Sequence, residues 1–347
     1  MGSSSEMTAA AAFQDGTRRV NGARPVLFGM CMVTLLVALP LSVALRGMIE
    51  AHLGRSLIGE RVASGADYQW WQEFLAQATG LGSTFSPSIL GSGAVLDNLD
   101  AFLENTPMAA TIAGVTAAWL LVWSFLSGGV LDRLARDRRT RAHGFFAACG
   151  VHFWRFLRLG LFAWLVYYVL FRWLHSWIFA DAYEGLIRDL TSERQAVLIR
   201  LAGYLLFGAV LILFNVIFDY ARIRIVVEDR RSAIGGIAAA ARFVRRHFGS
   251  VAALYLLNGL AFVALLGLYL LLAPGAPGSG IRMWLVLLLG QAYIVGRHYL
   301  KLLFYASQTT LFQSELAHSA YTAGPPIEWP DSPAAESIVN AAPAAVR

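Results

Sequence analysis

Four polar residues recur at helical spacing inside an otherwise apolar chain. Arg297 and Lys301 are one helical turn apart, and so are Asn215 and Asp219. Asp132 ends a further apolar run. Counted from the ends of their runs, all five fall at a similar depth. A charge inside hydrocarbon costs on the order of 2.5–3.5 kcal/mol on insertion scales, so such residues seek a partner, a cavity or the interface. A carboxylate such as Asp219 would pair with Arg297. Together the five could bind a polar headgroup or gate a pathway. The plainer reading is that Arg297 and Lys301 snorkel to the interface.

A second set is Arg242, Arg245 and Arg246. They follow Ser232, which fits a helix N-cap. On a helical wheel Ile234, Ile237, Ala238, Ala241, Val244 and Phe248 share one face, and Phe243 points away. Arg242 and Arg246 flank that face and Arg245 falls within it. Such a helix would grip anionic lipid, at about 1 kcal/mol per arginine near the leaflet. The plainer reading is a connection that obeys the positive-inside rule. Asn258 and Gln291 are amides in the middle of apolar runs. They would line a pathway or make interhelical hydrogen bonds, worth about 0.6 kcal/mol each.

Catalytic signatures are missing from the chain. There is no HExxH, GxSxG, P-loop or GxGxxG pattern. The seven histidines are scattered, and neither Cys31 nor Cys149 has metal-ligand spacing. Neither cysteine is expected in an oxidising compartment, so no disulfide is expected. The expectation is a non-enzymatic protein with no cofactor. The basic residues lie beside apolar runs, which argues against nucleic acid and for membrane lipid as the partner.

Composition agrees. Hydrophobic residues make up 57% of the 347 and charged residues 14%. A soluble domain carries about 25% charged residues. There are 27 arginines and one lysine, the codon signature of a GC-rich bacterial genome. Six apolar runs are long enough to span about 30 Å of hydrocarbon: Val26–Leu45, Met108–Val130, Leu157–Phe179, Leu198–Phe218, Ser250–Ala273 and Met283–Leu303. The first reads as an uncleaved helix. In the second, Ala110, Gly114 and Ala118 form a small-residue stripe that would let another helix approach.

The connections differ in charge. The segment before the first run, with the 129–153 and 219–248 connections, holds 15 arginines; the other three connections hold 6. Arginine accumulates on the cytoplasmic side, so both termini are expected there. Amphipathic pieces within the outer 46–107 connection (Met48–Ile58, Tyr68–Ala78, Ala94–Leu103) predict short helices, and Phe145–Trp154 predicts an interfacial segment. After about Ala317 the chain turns rich in Ala, Pro and Ser and predicts a disordered tail.

Several stretches carry a family resemblance. They are Ser127–Arg133 (SGGVLDR), Phe153–Gly160 (FWRFLRLG), Phe218–Arg246, Gln291–His318, and a Pro-Pro-x-x-Trp-Pro-Asp-Ser-Pro pattern at 325–333. Over about half its length the chain resembles a family of uncharacterised bacterial six-span membrane proteins. More distantly it is similar to the membrane domains beside some bacterial glycerophosphodiesterases. The resemblance implies the architecture and no activity. The expectation is therefore an all-α polytopic membrane bundle of about six transmembrane helices with interfacial amphipathic helices. Its parts would be a cytoplasmic segment at 1–25, a spanning domain at 26–306 and a cytoplasmic tail at 307–347. It would lie in the bacterial inner membrane as a scaffold or lipid-interacting protein, alone or as a homo-oligomer or with other membrane subunits. The alternative is a small-solute transporter or permease subunit using the five-residue cluster.

Overall fold

Backbone N–H and C=O groups in hydrocarbon must be satisfied within the segment, so apolar runs of this length become helices. The computed structural model describes residues 7–54, 58–64, 67–85, 98–106, 110–138, 140–273 and 280–323, and among them it is helical with no strand. Helix α1 is Ala9–Asn21, capped by the Thr8 hydroxyl, which accepts from the Ala11 N–H at 3.2 Å. Helix α2 is Arg24–Leu53, with Pro25 in its first turn, where the missing N–H costs nothing. Short helices α3 (Gly59–Ser64) and α4 (Tyr68–Gln77) follow. The Asp67 carboxylate caps α4 by accepting from the Gln69 and Trp70 N–H groups, both at 3.0 Å.

Five long helices complete the bundle with one amphipathic helix between them. Helix α5 is Ala110–Arg136 and α6 is Ala142–Val169. The latter runs on through two π-helical stretches, Leu170–His175 and Trp177–Ala182, to Ile187. Helix α7 is Glu193–Val227, α8 is Ala233–Arg246, α9 is Phe248–Leu272 and α10 is Ile281–Ala323. Five of these are long and apolar enough to cross a membrane: α2, α5, α6 with its extension, α7 and α9. In each, 6% to 17% of the most apolar window is buried, so most of their apolar surface faces outward. Helix α10 is not among the five; Gln291, Arg297, His298 and Lys301 interrupt its apolar run.

Several boundaries differ from the sequence reading. Met48 opens no separate helix, because α2 continues unbroken to Leu53. Phe145–Trp154 is not separated by a turn from the span that follows. It is the first part of α6, folded back on α5, because Gly128 and Gly129 leave a notch for it. A Cβ at Gly129 would lie 2.6 Å from Cys149 Sγ and 2.8 Å from the Phe145 carbonyl oxygen. The small-residue stripe expected higher on α5 makes no such contact: a Cβ on Gly114 would meet nothing within 4 Å. Helix α7 carries on past Phe218 to Val227, so the first third of the 219–248 connection belongs to a long helix. Helix α10 continues where a tail was expected. Residues 307–312 are buried, and only 324–347, with the Pro-rich pattern, lie outside the described residues. The glycine- and proline-rich connection at 274–279 lies outside them too.

The main core sits where α1 packs against α10. Gly16 makes that approach possible, since a Cβ there would lie 2.8 Å from Ser307 Cα. Polar bonds then fix the register. Arg19 donates from Nε to Asp15 at 2.8 Å, and from Nη1 to the Leu134 carbonyl at 3.0 Å and Gln313 Oε1 at 2.8 Å. Thr310 donates to Asp15 at 3.1 Å. Around this seam Leu131, Leu134, Tyr220, Ile223, Leu302, Leu311 and Phe312 are fully buried.

Candidate functional site

Just before that core, five helices leave a cavity of about 670 Å³. Thr34 comes from α2, Trp119 and Trp123 from α5, Asn215, Asp219 and Arg222 from α7, Tyr255 and Phe262 from α9, and Arg297, His298, Lys301 and Tyr305 from α10. One turn separates Asn215 from Asp219 and Arg297 from Lys301, which is why both pairs reach one space. Four of the five residues singled out by spacing therefore line it. Asp132 does not. It is buried at the end of α5 and pairs at 2.8 Å with Arg136.

The pairing within the cavity differs from the expectation as well. Asp219 is partnered by Arg222 at 3.1 Å, not by Arg297. Because α7 extends past Phe218, Arg222 lies three residues on, on the same face. Arg222 Nη1 also donates to the Tyr305 hydroxyl at 3.3 Å. Asn215 Nδ2 donates to the Tyr255 hydroxyl at 2.7 Å and to Asp219 at 3.4 Å, while the Tyr167 hydroxyl donates to Asn215 Oδ1 at 3.5 Å. The carboxylate thus sits in a chain of amide, hydroxyl and guanidinium groups that holds its orientation.

The two remaining cations have no ion pair among the described residues. Lys301 Nζ stands 3.4 Å from the centroid of the Trp123 ring, which in turn stacks on Tyr305 at 6.2 Å. Arg297 lies 5.8 Å from the Tyr293 centroid and is exposed. An aromatic face attracts a cation by about 0.5–2 kcal/mol and leaves its full charge in place. With Arg222, Arg297 and Lys301 against Asp219 alone, three cations face one carboxylate, an excess of two positive charges. Thr34 donates to the Met30 carbonyl at 2.9 Å and meets His298 Nε2 at 3.0 Å, which anchors α2 to the cavity's rim.

Arg242, Arg245 and Arg246 stand apart from this cavity. They are exposed on α8 and border a separate basic cavity of about 560 Å³ with Arg224 and Arg230. There Glu228 pairs with both Arg224, at 2.7 Å, and Arg230, and His247 approaches Glu315 at 3.3 Å. The face that packs inward is not the apolar face of the helical wheel. Ala233, Gly236, Ala240, Phe243 and Val244 pack inward, while Ile234 and Phe248 point out. Packing decided this: the Phe243 ring meets Tyr220 at a tilt and Phe312 edge-on, with ring centroids 5.1 Å away in each case.

Asn258 is fully buried and donates to Ser307 Oγ at 3.0 Å, a link between α9 and α10, whereas Gln291 is exposed. Cys31 is half-buried, Cys149 is buried, and both are free thiols. Arg222, Trp123, Tyr255 and Tyr305 were not picked out by spacing. The Asp219–Arg222 interval was the available signal, and ending the helix at Phe218 hid it. Compared with known proteins, the chain matches no family model, no curated protein and no solved structure.

Proposed function

We propose that this is a non-enzymatic, multi-pass protein of the bacterial inner membrane that binds an anionic lipid headgroup in the α2/α5/α7/α9/α10 cavity. One observation carries the reading: two cations, Arg297 and Lys301, stand on aromatic faces without carboxylate partners inside a cavity of excess positive charge. A cation without a carboxylate partner is stabilised by an oxyanion, and the surrounding Trp119, Phe262 and Phe304 side chains suit the chains of a lipid. Helix α10 crosses as a sixth span, with its charges turned to this cavity. Both termini lie on the cytoplasmic side. That reading is supported by α1 packing along α10 near Ser307, which brings the first and last described helices together at one end of the bundle, and by the arginine-rich connections at the same end.

The test is lipid retention. The protein is purified from membranes containing phosphatidylglycerol, cardiolipin and phosphatidylethanolamine, and bound lipid is read by native mass spectrometry. Anionic lipid should be retained preferentially, and the Arg297→Gln/Lys301→Gln double variant should lose that preference. Equal retention of zwitterionic lipid by both proteins would sink the reading. Orientation is checked by a cysteine at Arg138, which should react only with a membrane-permeant reagent.

The buried Asp219–Arg222 pair within a spanning helix keeps a transport reading in play, because intramembrane charges mark solute pathways. Solute flux in proteoliposomes that is lost in Lys301→Gln while the protein still inserts would favour it. Against it stands the packing just past the cavity on α10, where Leu302, Leu303 and Ala306 are buried.

A further inference from the structure

A second, larger cavity of about 920 Å³ lies between the start of α2, the end of α5 and the start of α6. Most of its wall is apolar, from Val26, Met30, Val33, Leu126 and Phe145. Two cations line it: Arg24 is exposed, whereas Arg133 is buried. Arg133 is 6% exposed and has no ion pair among the described residues. Its Nη2 donates to the Gly22 carbonyl at 2.9 Å, but its Nη1 has no hydrogen-bond partner among the described residues. A buried donor left unmade costs about 1–3 kcal/mol, more for a charged group. Such a guanidinium calls for an oxyanion.

The cavity also has a direction. Along α2 the lining runs from Arg24 to Val33, and along α5 it runs from Arg133 back to Leu126. Both helices therefore pass from a polar end, which also holds Asn21 and Thr140, to an apolar end in the same sense. A ligand that fits must be charged at one end and apolar over the rest. Its size is within the range of about 300–1,000 Å³ typical of small-molecule sites.

We infer that this cavity is a binding site for a single-chain amphiphile with an oxyanion head, the head on Arg133 and the chain along Met30, Val33 and Leu126. A long-chain carboxylate and a lysophospholipid phosphate share that chemistry. The site is separate from the five-helix cavity and does not depend on the reading given to it.

The full-length protein in phosphatidylcholine nanodiscs is titrated with cis-parinaric acid, a fluorescent fatty acid, with empty nanodiscs as background. Saturable binding is expected. Palmitate or lysophosphatidate should displace the probe, and hexadecanol, which has the chain without the charge, should do so about tenfold less well or worse. Displacement by palmitate alone identifies a carboxylate ligand, by lysophosphatidate alone a phosphate ligand, and either supports the site. Arg133→Gln should weaken the probe about tenfold or more. Because Arg133 also ties down Gly22, a second variant is needed. A Cβ on Gly29 meets nothing within 4 Å, so Gly29→Leu fills the cavity without touching Arg133; it should abolish binding, and the outward-facing control Gly114→Leu should not. Equal competition by hexadecanol, unchanged binding in Gly29→Leu, or no saturable binding would overturn the proposal.

Discussion

The two ends of this bundle are built differently. At one end α1, α8 and the last turns of α5, α7 and α10 interlock: Gly16, Gly128 and Gly129 admit backbones closer than a methyl group allows, and Tyr220, Gln308 and Phe312 are nearly or fully buried. At the other end fewer side chains are buried, although a Cβ on Gly203 would lie 3.1 Å from Ile178 and 3.2 Å from Phe179. A small cluster of Leu170, Ile178, Phe207 and Leu211 holds α6 to α7, and a Cβ on Gly114 would touch nothing. Polar contacts follow the same division. Asp219 is buried in a network, while Glu104 at the opposite end meets Tyr204 and Arg200 at the surface. Lipid offers helices no hydrophobic drive to associate, so packing must come from small residues and hydrogen bonds. Those are concentrated at one end, and the five-helix cavity lies at the junction between the two.

The largest effect should come from cutting the network at that junction. Asp219→Ala leaves the Arg222 guanidinium without its carboxylate, a change that costs about 3–5 kcal/mol for a buried pair. The thermal midpoint in nanodiscs should collapse or the protein should fail to accumulate. Restoring neutrality with Asp219→Ala/Arg222→Met should recover part of the loss. If the single variant melts like wild type, the junction is not part of the packed end.

Next come the glycines. Gly16→Val forces side-chain atoms onto the Ser307 backbone, since the Cβ alone would sit 2.8 Å from its Cα. Overpacking of this kind costs about 1–3 kcal/mol. The same substitution at Gly114 should change stability by less than about 0.5 kcal/mol, as for other sites without contacts. Thermal midpoints measured side by side give the contrast directly. Equal effects at the two positions would erase the distinction between the ends.

Helical class and the apolar spans could be read from the sequence, because their cause is local: length and hydropathy decide them. The polar cavity was partly readable for the same reason. One-turn spacing placed Asn215 with Asp219 and Arg297 with Lys301, and the tertiary fold had only to bring the two pairs together. What could not be read depended on partners distant in sequence. Phe243 faces inward because Tyr220 and Phe312 pack against its ring, a fact absent from any wheel of α8. Residues 9–21 look small and polar, yet Gly16 makes them a core helix against Ser307. Arg222 was taken for a loop residue because Asp219 suggested a span end, although a paired charge can continue a helix.

Acid should loosen the packed end through α1. Burial pushes the Asp15 carboxyl up, but the Arg19 charge, the Thr310 hydrogen bond and Arg18 outweigh it and hold it below the usual carboxylate range. A carboxyl depressed in the folded state contributes stability above its unfolded value of about 3.9, and that contribution disappears as pH falls through the lower folded value. The wild-type thermal midpoint should therefore begin to drop as pH falls below about 4. Asp15→Asn should lower it at neutral pH by an amount equivalent to about 1–2 kcal/mol and flatten its acid dependence.

The smallest effect should be at Glu104, the counterpart at the opposite end. Its carboxyl is also held low, by the hydrogen bond from Tyr204 first and the neighbouring Arg200 charge second. The same sign applies, so its contribution too is lost on acidification. The groups are nevertheless exposed, and an exposed pair contributes about 0–1 kcal/mol. Glu104→Gln should leave the midpoint nearly unchanged at neutral pH, and added salt should remove what difference remains, because exposed charges are screened over about 10 Å at 0.1 M. Salt should leave the Asp15→Asn deficit in place, since that network is partly buried. A Glu104→Gln deficit as large and as salt-resistant as that of Asp15→Asn would mean that the Glu104 end is packed as firmly as the α1 end, with the 98–106 segment clamping α6 to α7.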